Sequence, residues 1–134
     1  MTIEQFIYGY IAKEETYQDG DIILEEGSSG DWVFVILRGQ VKVKKRTPKG
    51  MITLDTLKEG EIFGELVLLQ TGRKARTASV VADGPLQVGI LDNEQLFKDY
   101  DAIPQQLRSL LRSLAKRLVN TTNKAVSMVL EHSK

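Results

Sequence analysis

The sequence contains no cysteine and a single histidine, His132, close to its C-terminal end. The first absence excludes disulfide staples, thiolate metal sites and cysteine nucleophiles. The second leaves no histidine cluster for a barrel-bound metal and no positioned base for a Ser–His–acid triad; neither a Walker-type loop nor a dinucleotide fingerprint occurs. Catalysis is therefore not expected, and no metal or cofactor is called for. Long hydrophobic runs are missing as well: none approaches the roughly eighteen residues that a membrane span requires. Met1-Thr2-Ile3-Glu4 lacks the basic-then-apolar layout of a signal peptide. A cytoplasmic protein without a membrane partner is the expectation. Charge of one sign is absent too, since 18 Lys plus Arg balance 18 Asp plus Glu, which leaves no electrostatic footprint for nucleic acid.

What is present suffices for one core. With 134 residues, 42% of them hydrophobic, the chain has the length and composition of a single domain over 1–134. Thr2 with Gln5 forms a capping box, and Ile3, Phe6, Ile7 and Tyr10 recur at helical spacing, which predicts a helix within 1–14. From Tyr17 to Val88 the texture changes to brief β-branched runs punctuated by Gly, Asp and Ser. They predict strands at 21–24, 32–37, 40–45, 52–57, 79–82 and 86–91, within a β unit over 15–91. Such spacing implies an antiparallel sandwich or barrel, with Trp32 in its core. Asp92 and Gln95 make a second capping box, and Pro104 suits the first position of a long helix over about 104–131, within a helical region over 92–134.

The segment from Phe63 to Val80 carries the chemistry. Gly64 lets the backbone approach a ligand closely, and Glu65 places a carboxylate acceptor beside that gap, suited to a hydroxyl. Arg76 supplies a planar guanidinium fork shaped for phosphate, flanked by the Thr77 hydroxyl and the small Ala78. Backbone N–H groups of a short irregular segment add a nest for an anion. A ligand with a ribose at one end and a phosphate at the other satisfies both halves.

This segment resembles the phosphate-binding cassette of the cyclic nucleotide-binding domain family, the module shared by the catabolite activator protein and the regulatory subunits of cAMP-dependent protein kinase. The resemblance extends from about Tyr17 to the C-terminus. It includes Tyr17-Gln18-Asp19-Gly20-Asp21-Ile22-Ile23, Glu26-Gly27, the run from Val33 to Val43, and Leu57-Lys58-Glu59-Gly60-Glu61-Ile62. Gly27, Gly39, Gly64, Glu65, Arg76 and Ala78 stand where the family pattern has them. The resemblance implies an eight-stranded antiparallel β-roll, jelly-roll-like, with a short N-terminal and a long C-terminal helix. It implies cAMP as the ligand, with cGMP as second candidate, held by Gly64, Glu65, Leu66, Arg76, Thr77 and Ala78, with Val43 and Leu54 on the pocket wall. Glu65 would accept from the ribose 2′-hydroxyl. Thr77 could bond both a phosphate oxygen and the guanine 2-amino group.

The last helix carries a further pattern. Leu107, Leu111, Leu114, Leu118, Thr121, Ala125 and Met128 are spaced alternately four and three apart, a seam of period 3.5 that suits a partner helix in a homodimer, the alternative being that the stripe packs on its own barrel. Leu110, Val119, Val126 and Val129 offer a second apolar face toward the domain itself. By residue type alone, a threonine in such a seam sets register; the resemblance instead implies that Thr121 and Thr122 meet the base. No turn-and-recognition-helix unit follows within these residues, so DNA binding is not expected of them. The basic run Lys42, Lys44, Lys45, Arg46 and Lys49 reads as the solvated end of a hairpin, Arg73 and Lys74 as loop charges, and Asp19, Asp21, Glu25 and Glu26 as turn-flanking carboxylates. The expectation is a sensor domain that binds a cyclic nucleotide and relays occupancy through its last helix to a downstream partner that no motif names. The alternative is an interaction or oligomerisation module on the same fold without nucleotide.

Overall fold

The computed structural model describes residues 6–65 and 76–132. A 3₁₀ turn, Tyr8–Tyr10, leads into eight strands: β1 (Ile11–Tyr17), β2 (Ile22–Leu24), β3 (Phe34–Arg38), β4 (Val41–Thr47), β5 (Gly50–Leu57), β6 (Ile62–Phe63), β7 (Ser79–Ala82) and β8 (Leu86–Leu91). They form two four-stranded antiparallel sheets, ordered β1-β8-β3-β6 and β2-β7-β4-β5. Two helices close the chain, α1 (Asn93–Asp101) and α2 (Gln105–His132). This is the β-roll with a long C-terminal helix that the cassette resemblance implied. Among the described residues no helix is long and apolar enough to cross a membrane.

The two sheets bury one core between them, built from Phe34, Ile36, Val41, Phe63, Val80 and Val88 with their neighbours. Phe34 and Phe63 stand opposite each other in the β3–β6 ladder, and their rings stack 4.9 Å apart. β3 reads as a continuous apolar run rather than an alternation because its other face is also covered. Val33, Val35 and Leu91 form a second cluster there with Ile7, Tyr10 and Leu96.

Three expectations change. The helix anticipated within 1–14 is present at Phe6 and Ile7, continues as the 3₁₀ turn Tyr8–Tyr10 and ends earlier than read, where β1 begins at Ile11; the capping-box residues Thr2 and Gln5 lie outside the described residues. β1 escapes a pattern reading because it pairs only with β8 and leaves four of its seven side chains exposed in no strict alternation. β6 escapes because two residues carry no period. Trp32 is no core residue: it precedes β3 and is 54% exposed, while Val33 takes the buried place beside it. Pro104 stands one position before α2, where its carbonyl accepts the first helical bond from the Arg108 N–H at 3.0 Å. The Asp92 box holds as read, its side chain accepting from the Gln95 N–H.

One irregularity matters for function. In the β4–β5 ladder Val43 faces Asp55 and Lys44 faces Thr53, which leaves Leu54 as an extra, bulged residue. A bulge breaks strict alternation and re-aims side chains. Leu54, Asp55 and Leu57 thereby all reach the same side of the strand.

Candidate ligand-binding site

That side opens on a cavity of about 370 Å³ enclosed by the roll, the Phe63–Glu65 corner, the Arg76–Ala78 segment and α2. Gly64 makes the corner. Its φ is +82°, and a Cβ there would stand 2.6 Å from the Trp32 carbonyl oxygen, so both conformation and space demand glycine. The close approach serves Arg76. Its Nη1 donates to the Gly64 carbonyl at 3.1 Å and its Nη2 to the Trp32 carbonyl at 3.0 Å, which fixes the plane of the fork.

The main chain around Arg76 is stapled to the turn after β2. The Arg76 N–H donates to the Ser28 carbonyl at 2.7 Å, and the Gly27 N–H donates to the Arg76 carbonyl at 2.9 Å. Three residues on, the Ser79 hydroxyl accepts from the Glu26 N–H at 2.9 Å. Glu26, taken from sequence as turn-flanking charge, is thus part of the frame.

Burial raises the Glu65 carboxyl above the ordinary carboxylate range, against its own backbone N–H and the Arg76 charge, which pull it down. Burial likewise lowers Arg76, offset in part by Asp31 and Glu65. A guanidinium remains cationic under such a shift. The site therefore holds a fixed cation beside a desolvated acid, whose charged form a hydrogen-bond donor would stabilise.

Of the residues singled out from sequence, Val43, Leu54, Gly64, Glu65, Arg76, Thr77, Ala78 and Thr122 line this cavity. Thr121 is exposed and not on its wall, and Leu66 lies outside the described residues, as do Arg73 and Lys74. The Thr122 hydroxyl donates back to the Leu118 carbonyl at 2.9 Å. Sequence reasoning missed Asp55, a carboxylate on the wall, and Leu118, which was assigned to the dimer seam alone. The signal for Asp55 is the odd count of residues between Val43 and Leu57, legible only once the pairing register is known. Lys45, read as a solvated hairpin charge, is 22% exposed at its side chain and donates to the Thr77 carbonyl at 2.7 Å.

The family model of the cyclic nucleotide-binding domain matches residues 14–100. The human cyclic nucleotide-gated channel beta-1 is 38% identical over 109 residues, which is 81% of this chain and 9% of the channel. The CRP-like cAMP-activated global transcriptional regulator of Mycobacterium tuberculosis is 29% identical over 111 residues, 82% of this chain and 49% of the regulator. Among solved structures, the EAL enzyme Bd1971 in its cAMP-bound form superposes with a TM-score of 0.75 at 30% identity, covering 89% of this chain and 30% of that one. Its cGMP-bound form does so with a TM-score of 0.73 at 30% identity, covering 90% and 32%. The chain thus spans less than half the length of each of these relatives. With the β-roll, the glycine corner and the arginine fork in place, the chain belongs to the cyclic nucleotide-binding domain family.

Proposed function

We propose that the cavity binds cAMP, with cGMP as second candidate, and that the domain relays occupancy through α2. The observation that carries this reading is the convergence of Arg76 and Glu65 on one cavity that is also lined by the apolar Val43, Leu54 and Leu118. Arg76 takes the cyclic phosphate by charge-assisted bonds. Glu65 accepts from the ribose 2′-hydroxyl, and the apolar wall receives the base. The polar side chains of Asp55, Thr77 and Thr122, also on the cavity lining, are the candidates for reading the base edge. Binding and relay, rather than catalysis, is the role assigned.

The position of α2 supports relay. Leu118 and Thr122 form part of the cavity wall, so a ligand touches the helix directly. A ligand shifts an equilibrium only by its differential affinity for the two states, and contacts made in one helix position alone supply that difference. α2 is also the proposed dimer element. Leu107, Leu114, Leu118 and Met128 are all large, apolar and exposed along one stripe, which suits a second copy of the helix.

Titration calorimetry with cAMP and cGMP tests the reading. Arg76→Ala is expected to weaken the bound nucleotide by about tenfold to two hundredfold, the loss of one bond to a charged group. Arg76→Lys restores part of it, because a compact ammonium lacks the two-point fork. Unchanged affinity in Arg76→Ala would move the phosphate elsewhere, and no binding by the unaltered chain would leave the interaction module without nucleotide as the better reading.

A further inference from the structure

Lys45 lies at the junction of the cassette, the roll and α2. Its ammonium donates to the Thr77 carbonyl at 2.7 Å and pairs with the Glu26 carboxylate at 3.4 Å. Glu26 is held in turn, its other oxygen accepting from the Arg46 N–H at 2.8 Å and its own N–H donating to Ser79. Lys45 therefore does not swing freely. It ties the carbonyl of Thr77 to a carboxylate anchored on both sides. Beneath α2 a smaller cleft of about 110 Å³ continues the main cavity; Lys45, Thr77, Leu118, Thr122 and Asn123 line it. Thr77, Leu118 and Thr122 belong to both spaces.

Thr77 is the residue this arrangement acts on. Its side chain is β-branched and has few χ1 positions, so the places its hydroxyl can reach depend on the backbone that carries it. The Arg76 end of that segment is fixed by main-chain bonds to Gly27 and Ser28. The Thr77 carbonyl has its bond from Lys45. We propose that Lys45 is a positioning residue that sets the Thr77 hydroxyl and thereby the choice between purine bases in the cavity. The inference rests on the cyclic-nucleotide reading of that cavity. A hydroxyl held in place can accept from a guanine 2-amino group while donating to a phosphate oxygen, whereas adenine offers no amino group at that ring position. Releasing the carbonyl therefore costs cGMP more than cAMP.

The test is a double-mutant cycle on the ratio of cAMP to cGMP dissociation constants, measured by calorimetry on the full chain with Lys45→Met, Thr77→Ala and both together. Lys45→Met is expected to move the ratio toward cAMP by about threefold to tenfold, in the range of one partly exposed charge-assisted bond. Thr77→Ala shifts it in the same direction, and the double variant goes no further than the larger single shift, since the two residues act through one hydroxyl. Lys45→Arg, which keeps a cationic donor, returns the ratio most of the way. Glu26→Gln provides a second route should Lys45→Met not fold: it removes the counter-charge, keeps an acceptor for the Arg46 N–H, and shifts the ratio the same way by a smaller factor. A loss shared equally by both nucleotides would reduce Lys45 to a structural tie and overturn the inference. So would single shifts that multiply in the double variant. An unaltered chain that binds neither nucleotide overturns the cyclic-nucleotide reading itself, a result distinct from binding with an unmoved ratio.

Discussion

At the scale of single residues, the site is organised by one backbone corner. Gly64 brings its own carbonyl and that of Trp32 together so that one guanidinium can span both. Gly64→Ala would force a left-handed φ on a residue with a Cβ and drive that Cβ toward the Trp32 oxygen. A loss of about 1–3 kcal/mol in unfolding free energy is expected from the conformation, with more from the contact. Urea denaturation measures it, and an unchanged midpoint would mean that the corner relaxes. Nucleotide affinity should fall in the same variant, because Arg76 loses its frame.

In the proposed role Glu65 works in the opposite sense, trading stability for binding. Its carboxyl is raised in the folded chain by burial, so the unfolded state loses the proton first as pH rises. Stability is thus full below the unfolded carboxylate range, about 4.3, and declines as pH climbs through the folded value. The penalty is complete only above that raised value. Glu65→Gln removes it, and thermal melts should show the variant more stable than the parent at neutral pH, with the gap closing in acid. Binding moves the other way. A 2′-hydroxyl donating to the carboxylate favours the charged form, so nucleotide affinity declines as pH falls through the raised value. In Glu65→Gln that pH dependence flattens and affinity at neutral pH drops by about fivefold to thirtyfold. A parent whose affinity ignores pH would take Glu65 out of the ribose role.

Among the elements, α2 divides its residues between two faces in a way its spacing alone leaves open. Ala115 and Val126 are buried toward the roll, with Val119 and Thr122 half-buried between them, while Leu110 and Val129 remain more than half exposed. Thr121 and Thr122, adjacent in sequence, are rotated about 100° apart on any helix, and the cavity takes Thr122. Thr122→Val is therefore expected to weaken nucleotide binding by about threefold to tenfold, the worth of one neutral hydrogen bond. Thr121→Val should leave the affinity of a single chain unchanged, and should matter only where a second chain brings Thr121 to the ligand. Equal effects of the two in a monomer would assign the base contact to neither.

For the molecule as a whole, the exposed stripe of α2 is the surface proposed to meet a second chain. Leu107 is 45% and Leu114 48% exposed, and neither lines the cavity. Leu107→Glu with Leu114→Glu would place like charges opposite each other across a two-fold seam. Light scattering should show the parent at twice the chain mass and the variant at the mass of one chain. A variant that stays dimeric would put the interface elsewhere. The interaction module without nucleotide predicts the same dimer, yet no rise in melting temperature with cAMP or cGMP, which a ligand that binds the native state must produce.

By itself the sequence determined what depends on local chemistry. Gly64, Glu65, Arg76 and Ala78 stand within one stretch, 64–78, that carries a distinctive pattern, and the caps of α1 and the period of α2 are readable because turns and helices are built from near neighbours. The tertiary structure decided what depends on strand pairing. β1 is an edge strand whose apolar contacts lie across the sheet, so its place was visible only once β8 was beside it. The Leu54 bulge exists only as a mismatch between two paired strands, and that mismatch is what brings Asp55 to the cavity. Lys45 followed the same rule: on its own strand it is one lysine in a basic run, and its role is created by Thr77 and Glu26, which lie 32 and 19 residues away. A charge's partner is set by distance in space, and strand register, which no single segment encodes, sets that distance.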